Sequence, residues 1–281
     1  MAKKKSATRN VQPTPSGAAT KNKGSSNKDR LFPQTLLNNN KHETHYQHLH
    51  LEDLIPNAVF VARNALSSKE CEDWIKYAEN SGWGTVAHPS TKWIAHRECS
   101  RLQKNDWAMA HRLFRRIEQI VMEASKQLDI FDKSTRANNS SYNNNANKTY
   151  QPITCNPNLR LYKYTKGQWF GKHIDDTNKI EWRGVDTPYS ATDVAETHTE
   201  ITVLFYLSTC KGGATRFHLP NSTKKMKKDR GSSNNGSVAY TPTQGAVLLH
   251  VHGDNCLEHE AEPVTDGIKY VLRTDIVYGI M

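Results

Sequence analysis

Apolar positions follow two regimes along the chain. Between residues 67 and 127 they recur with helical spacing. Ser67-Ser68-Lys69-Glu70 reads as a capping box, with Ser67 as N-cap and Glu70 three positions on. Cys71, Trp74, Ile75 and Ala78 follow on one helical face, and Gly82 is placed to stop the helix. A second helix is expected from about Asn105 or Asp106. Its apolar face is Trp107, Ala110, Leu113, Phe114, Ile117, Val121 and Ala124. Arg112, Arg115, Arg116, Glu118 and Glu123 lie opposite and read as a solvated face.

From residue 158 onward the period shortens to that of strands. Residues 159–164 alternate, and residues 201–207 form a β-branched and aromatic run that fits a buried strand. A further run, 214–217, follows the Gly212-Gly213 turn. Residues 246–251 are apolar again, and residues 270–278 close the chain. Two helices followed by five or more strands predict an α+β fold. Its core is expected to be a β-sandwich or jelly roll, with the helices as N-terminal supports.

Composition marks what lies outside that core. Residues 1–30 are Lys, Ser, Thr, Asn, Gly and Pro with almost nothing to bury, and disorder is expected there. His42, His45, His48 and His50 cluster without a zinc spacing and read as a surface segment. Residues 1–50 are therefore assigned to a disordered basic leader, and 56–281 to one folded domain with its strand-rich part at about 154–281. Residues 134–149 and 221–237 are Asn/Ser-rich and read as loops inserted into that domain.

Charge sharpens this division. The net charge is +10, yet residues 1–30 carry +7 and residues 221–230 carry +4, so the rest sums to −1. The folded part is close to neutral, and nucleic-acid binding through the tail is the less favoured reading. No run of about 18 apolar residues is present, so no transmembrane helix and no membrane partner are expected. No apolar segment follows the first lysines, so no secretory signal is expected, and the cytoplasm or nucleus is the expected compartment. Five cysteines without a CxxC pair indicate neither a disulfide framework nor a zinc ribbon.

The candidate chemistry begins at His173-Ile174-Asp175. On extended backbone, positions i and i+2 face one side, so the imidazole and the carboxylate can share one metal ion. Two His and one carboxylate that leave positions open make the non-haem Fe(II) oxygenase arrangement, with the third ligand drawn from a distant strand. The pair alone is a weak signal. Composition predicts fewer than one His-x-Asp by chance, and His252-Gly253-Asp254 also matches. That second pair enters a Gly-Asp-Asn turn, where Asp is an ordinary turn residue, so the first pair is preferred.

The surroundings of the first pair carry more. The stretch LRLYKYTKGQWFGKHIDD (159–176) resembles the approach to the metal motif in prolyl 4-hydroxylase-like dioxygenases that use Fe(II) and 2-oxoglutarate. The run 201–207 with GGATRF (212–217) resembles that family's second block. GAVLL (245–249), HEAEPVTDGIKY (259–270) and RTDIVY (273–278) resemble its closing blocks. The resemblance runs from about Val59 to the end of the chain and implies a double-stranded β-helix.

It also implies roles. His173, Asp175 and His259 would hold Fe(II), Lys269 would bind the distal carboxylate of 2-oxoglutarate, and Tyr164 would help hold that co-substrate. A dianion in a buried site needs a cation, which agrees with the lysine. Arg273 shares the strand parity of Lys269 and is its alternative. Tyr162 and Trp169 are the aromatic alternatives to Tyr164. Asp176 faces the wrong side, while His250 and His252 read as strand and turn residues near the site. The implied reaction hydroxylates an unactivated C–H bond and converts 2-oxoglutarate and O2 to succinate and CO2. Peptidyl proline is the implied substrate and L-ascorbate the reductant. The chain departs from the family pattern in the insert at 221–237 and in Ala214, which stands at a usually polar or acidic position. Two alternatives stay open: the same chemistry on a nucleic acid or small molecule, and a non-enzymatic jelly-roll binding module.

Overall fold

The computed structural model describes residues 32–37, 49–91, 94–131, 149–182, 184, 189–190, 192–220 and 236–281. The first thirty residues, His42, His45 and His48, and most of the two Asn/Ser-rich stretches lie outside the described residues. The elements, in chain order, begin with β1 (Glu52–Ile55), β2 (Val59–Ala62), α1 (Ser68–Ser81), β3 (Gly84–His88), β4 (Arg97–Asn105) and α2 (Trp107–Gln127). Strands β5 (Tyr150–Cys155), β6 (Asn158–Tyr164), β7 (Phe170–His173), β8 (Thr197–Tyr206), β9 (Lys211–Gly212) and β10 (Thr215–His218) follow. The last are β11 (Ser237–Tyr240), β12 (Val247–Val251), β13 (His259–Ala261), β14 (Val264–Asp266) and β15 (Lys269–Ile280).

The strands pair in the order β1-β2-β12-β8-β15-β6-β4-β7-β13-β10-β11, with β3 beside β4 and β5 beside β15. All pairings are antiparallel, and β1 returns to contact β11. The path therefore folds over on itself as a nearly closed double-stranded β-helix. Its broad sheet runs from β2 to β4. Its narrow sheet is β7-β13-β10-β11, joined to the broad one through the Arg97–Phe170 pair. The expected jelly roll with two supporting helices is what the chain forms.

Strand alternation sorts the side chains between two compartments. On β8, Ile201, Val203 and Phe205 face the helices and join a core with Trp74, Leu113, Ile117 and Ile120. On β15, Leu272 and Tyr278 do the same. The intervening residues Thr202, Leu204, Lys269, Val271 and Arg273 face the space between the two sheets. The site's polar groups are thus the strand-interior residues of odd parity on β15 and of even parity on β8.

Both helix starts follow the pattern in the sequence. Ser67 accepts from the Glu70 N–H at 3.2 Å, and Glu70 accepts from the Ser67 N–H at 2.9 Å. Asp106 caps α2 by accepting from the Met109 N–H at 2.9 Å. The reading of Arg112, Arg115 and Arg116 as one solvated face is corrected. The Arg116 side chain is 8% exposed and forks onto both oxygens of buried Glu70 at 3.1 Å, joining the two helices. Arg112 donates to the carbonyls of Gln34 and Leu37 at 2.7 and 2.5 Å. These bonds hold residues 32–37, which composition places in the leader. Phe32 is 1% exposed there, packs on Trp74 at 5.1 Å, and donates its N–H to Asp106 at 2.7 Å. The physical reason is that three apolar residues, Phe32, Leu36 and Leu37, cover a helix face that would otherwise meet water.

Glu70 serves as both cap and counter-charge, which sets an expectation. Glu70→Gln leaves the Arg116 guanidinium buried without its charge partner and is expected to cost about 3 kcal/mol in a urea titration. Adding Arg116→Met should recover part of the loss. A single substitution within about 0.5 kcal/mol of wild type would show that the pair does not couple the helices.

Candidate metal centre

Three neighbouring strands of the narrow sheet build the centre. His259 on β13 lies directly opposite His173 on β7, and Phe217 on β10 lies opposite His259. Asp175 follows β7 by two residues, so its side chain returns to the face that His173 occupies. His173 Nε2 is 3.7 Å from Asp175 Oδ1, and His259 Nε2 is 3.7 Å from Asp175 Oδ2. The three donor atoms all lie within 4.8 Å of one another.

The backbone fixes which nitrogen each imidazole offers. His173 Nδ1 lies 2.8 Å from the Gly171 carbonyl oxygen, and His259 Nδ1 lies 2.9 Å from that of Leu257. A carbonyl only accepts, so each Nδ1 carries the proton and each Nε2 keeps its lone pair towards the centre. Burial, then the neighbouring His259, pushes the His173 imidazole down to about 3, and burial also lowers His259. Both rings are neutral near pH 7, as metal ligands must be.

Asp175 is 6% exposed, and burial alone would push its carboxyl up. Arg273 first, then His250, His259 and His173, together outweigh that, and the carboxyl is held well below its usual range. Arg273 Nη2 reaches Oδ2 at 2.8 Å, and the Thr202 hydroxyl donates to the same oxygen at 2.9 Å. His250 on β12 completes the wall. Its Nδ1 lies 3.1 Å from the Val251 carbonyl, while its Nε2 is buried 3.5 Å from Asp175 Oδ2 with no hydrogen-bond partner.

Two neutral imidazoles, one ionised carboxylate and an orphaned buried nitrogen fit a divalent ion of the iron type. His250, Cys256 and His259 form a second close set. Burial pushes the Cys256 thiol up to about 11, so it is protonated near neutrality and is the poorer ligand. The alternative pair at 252–254 does not assemble, because Asp254 is exposed in a short 3-10 turn. Asp176 is exposed as well.

The same cavity holds Lys269 and Tyr164, which face each other across β15 and β6. The Lys269 ammonium donates to the Gly213 carbonyl at 2.6 Å and lies 5.6 and 5.8 Å from the ring centroids of Tyr164 and Tyr206. Gly212 and Gly213 shape the turn that presents this carbonyl. Gly212 has φ +67°, and a Cβ there would come within 2.5 Å of the Pro263 carbonyl. Burial pushes Lys269 down to about 8. Lys269 makes no ion pair among the described residues. Arg273 is already committed to Asp175 and, at 3.7 Å, to Asp275. Tyr162 also lines the cavity, whereas Trp169 stacks on His96 at 4.3 Å outside it.

Sequence reasoning missed Thr202 and Arg97 and read His250 only as a nearby strand residue. Each sits in a strand, where only the alternation with apolar neighbours could have pointed it inward. No protein-family model matches the chain, and no curated protein matches it. Among solved structures it is similar to the viral collagen prolyl hydroxylase of Paramecium Bursaria Chlorella virus-1, solved as a 2OG complex. Identity is 14%, over 79% of this chain and 96% of that one, with a TM-score of 0.41. It is also similar to a prolyl hydroxylase from Trichoplax adhaerens solved with a hypoxia inducible factor peptide fragment. There identity is 18%, coverage 84% and 90%, and the TM-score 0.43. A third is HygX from Streptomyces hygroscopicus, solved with nickel and 2-oxoglutarate, at 15% identity, 80% and 83% coverage and a TM-score of 0.39.

The depressed Lys269 ammonium has a stability consequence with a definite sign. Its ordinary value is 10.5 and its value in the fold about 8, so the fold resists its charge. Below pH 8 that penalty is complete, and it is relieved as pH rises from 8 to 10.5. Lys269→Met is therefore expected to stabilise the protein at pH 7, by on the order of 3 kcal/mol. The gain should shrink towards pH 10.5 in denaturant titrations. A gain independent of pH would show that Lys269 is not buried as a charge.

Proposed function

We propose that the protein is an Fe(II)- and 2-oxoglutarate-dependent dioxygenase that hydroxylates an unactivated C–H bond, with peptidyl proline as its substrate. One observation carries the reading. His173 Nε2, His259 Nε2 and the Asp175 carboxylate converge in the cavity that also holds Lys269, a buried lysine in no ion pair among the described residues. The sequence blocks around these residues support the same family and, through it, the prolyl substrate and L-ascorbate as reductant.

Bound iron would supply the chemistry that couples 2-oxoglutarate and O2 to hydroxylation, with succinate and CO2 as co-products. The chain's own residues do the rest. His173, Asp175 and His259 hold the ion from one side and leave the other side open. Lys269 takes the distal carboxylate of 2-oxoglutarate, and the apolar faces of Tyr164 and Tyr206 keep water from that pair. Arg273 and Thr202 hold the second oxygen of Asp175, so the first is free to ligate. On this reading residues 56–281 are the dioxygenase domain, with the catalytic jelly roll at about 154–281. Among the described residues no helix is long and apolar enough to cross a membrane, and we place the protein in the cytoplasm or nucleus.

Uncoupled turnover of 2-oxoglutarate with Fe(II), read as succinate, tests the assignment. Wild type should produce succinate and His173→Ala should not; equal rates would sink the metal site. Lys269→Met should raise the KM for 2-oxoglutarate at least about thirtyfold, as expected when a buried charge pair loses one partner. In wild type the affinity for 2-oxoglutarate should fall as pH rises through about 8, where Lys269 loses its proton. A flat profile from pH 7 to 9.5 would remove Lys269 from that role and turn attention to Arg273.

A further inference from the structure

We infer that Arg97 anchors a carboxylate of the organic substrate beside the metal centre, an inference that rests on the oxygenase reading above. Among the described residues three cations line the cavity, and two are accounted for. Arg273 is neutralised by Asp175 and Asp275, and Lys269 is assigned to the co-substrate. Arg97 also lines the cavity, and among the described residues it forms no ion pair. Its Nε is buried without a hydrogen-bond partner.

The acids that line the cavity are engaged elsewhere, Asp175 by Arg273 at 2.8 Å and Glu260 by His218 at 2.9 Å. A guanidinium at the wall of a pocket, without a counter-charge among the described residues, is matched by an anion that arrives with the ligand.

The placement of Arg97 also says how it would bind. Its guanidinium carbon lies 3.6 Å from the Phe170 ring centroid and 5.2 Å from that of Tyr162. Phe170 in turn stacks on the His173 imidazole, with centroids 3.7 Å apart and planes 25° apart. Guanidinium, phenyl ring and imidazole therefore form one layered column. The β4–β7 junction sets it, because Arg97 and Phe170 are Cα partners there.

Stacking occupies a face of the guanidinium and leaves its N–H edges to bond in plane, the geometry that takes a carboxylate with two parallel bonds. It also orders the side chain before the ligand arrives, which lowers the entropy cost of binding. One ring separates Arg97 from His173. The anchored carboxylate thus belongs close to the reacting position, as an acidic side chain near the proline or as the peptide's own C-terminus.

The test loads the full-length protein with Mn(II) and 2-oxoglutarate and titrates it calorimetrically with short proline peptides. One arm places Glu or Gln at each position within two residues of the proline, and the other compares a free C-terminal carboxylate with its amide. An acidic form should bind at least about tenfold tighter than its neutral counterpart, the scale of a charge-assisted bidentate contact. Arg97→Gln should erase that preference, and Arg97→Lys should restore part of it. The arm that shows the preference identifies the source of the carboxylate.

Equal binding of all forms, or no binding, overturns the assignment. So does loss of Mn(II) or 2-oxoglutarate binding in Arg97→Gln, since Arg97 would then act only as a support for Phe170 and His173. The same peptides are incubated with the Fe(II)-loaded protein and weighed by mass spectrometry. Acid-dependent binding without hydroxylation would remove the prolyl reading and leave the role of Arg97 standing.

Discussion

The buried ion pair between Asp175 and Arg273 is the interaction on which the rest of the centre depends. A carboxylate with 6% exposure would ordinarily take up a proton, and a protonated acid is a poor metal ligand. Arg273 at 2.8 Å and Thr202 at 2.9 Å keep it ionised. Arg273 is itself held, because Asp275 lies two residues further along β15 and is paired with Arg160 on β6. The charges alternate from Asp175 through Arg273 and Asp275 to Arg160, so no member stands unpaired in the interior. Three of the four sit on the central strands of the broad sheet, and β15 is bonded to β5, β6 and β8. That backbone cannot shift without breaking the ladders on either side, so the position of the Asp175 carboxylate is fixed from behind.

The same two-residue period that builds this chain of charges also divides the cavity. Lys269, Val271 and Arg273 face inward in turn, so one strand contributes a cation at each end with an apolar spacer between them. At the Arg273 end the cation is matched by carboxylates of the chain itself. At the Lys269 end it bonds a carbonyl, lies by two aromatic rings and makes no ion pair among the described residues. Among the described residues the cavity is therefore charge-balanced around Asp175 and cationic at Lys269 and at Arg97.

Much of this was legible in the sequence, and the limits have physical reasons. The helix caps at Ser67 and Asp106 are local hydrogen bonds between near neighbours, so local sequence predicts them. The spacing of His173 and Asp175 is local as well. Arg116 was misread because helical periodicity says which face is polar and not what covers it. Its partner Glu70 is 46 positions away and lies on a different helix. Residues 32–37 were misread for a related reason. Their apolar side chains are few and sit in a polar neighbourhood, and only the helices they cover make their burial favourable. Thr202, His250 and Arg97 were missed because a strand's inward face is set by which strands pair. The pairing of β4 with β7, or of β12 with β8, joins segments too far apart for any local pattern.

The proposed centre has one ion between His173, Asp175 and His259 while Arg273 stays on the far oxygen of the carboxylate. A crystal structure of the protein grown with Mn(II) and 2-oxoglutarate, with anomalous scattering used to locate the metal, tests it most directly. The prediction is a single metal about 2.1 Å from His173 Nε2, His259 Nε2 and one Asp175 oxygen, with Arg273 on the other oxygen and Lys269 on the distal carboxylate. A metal held instead by His250 and Cys256, or Arg273 drawn away from Asp175 to the co-substrate, would contradict it.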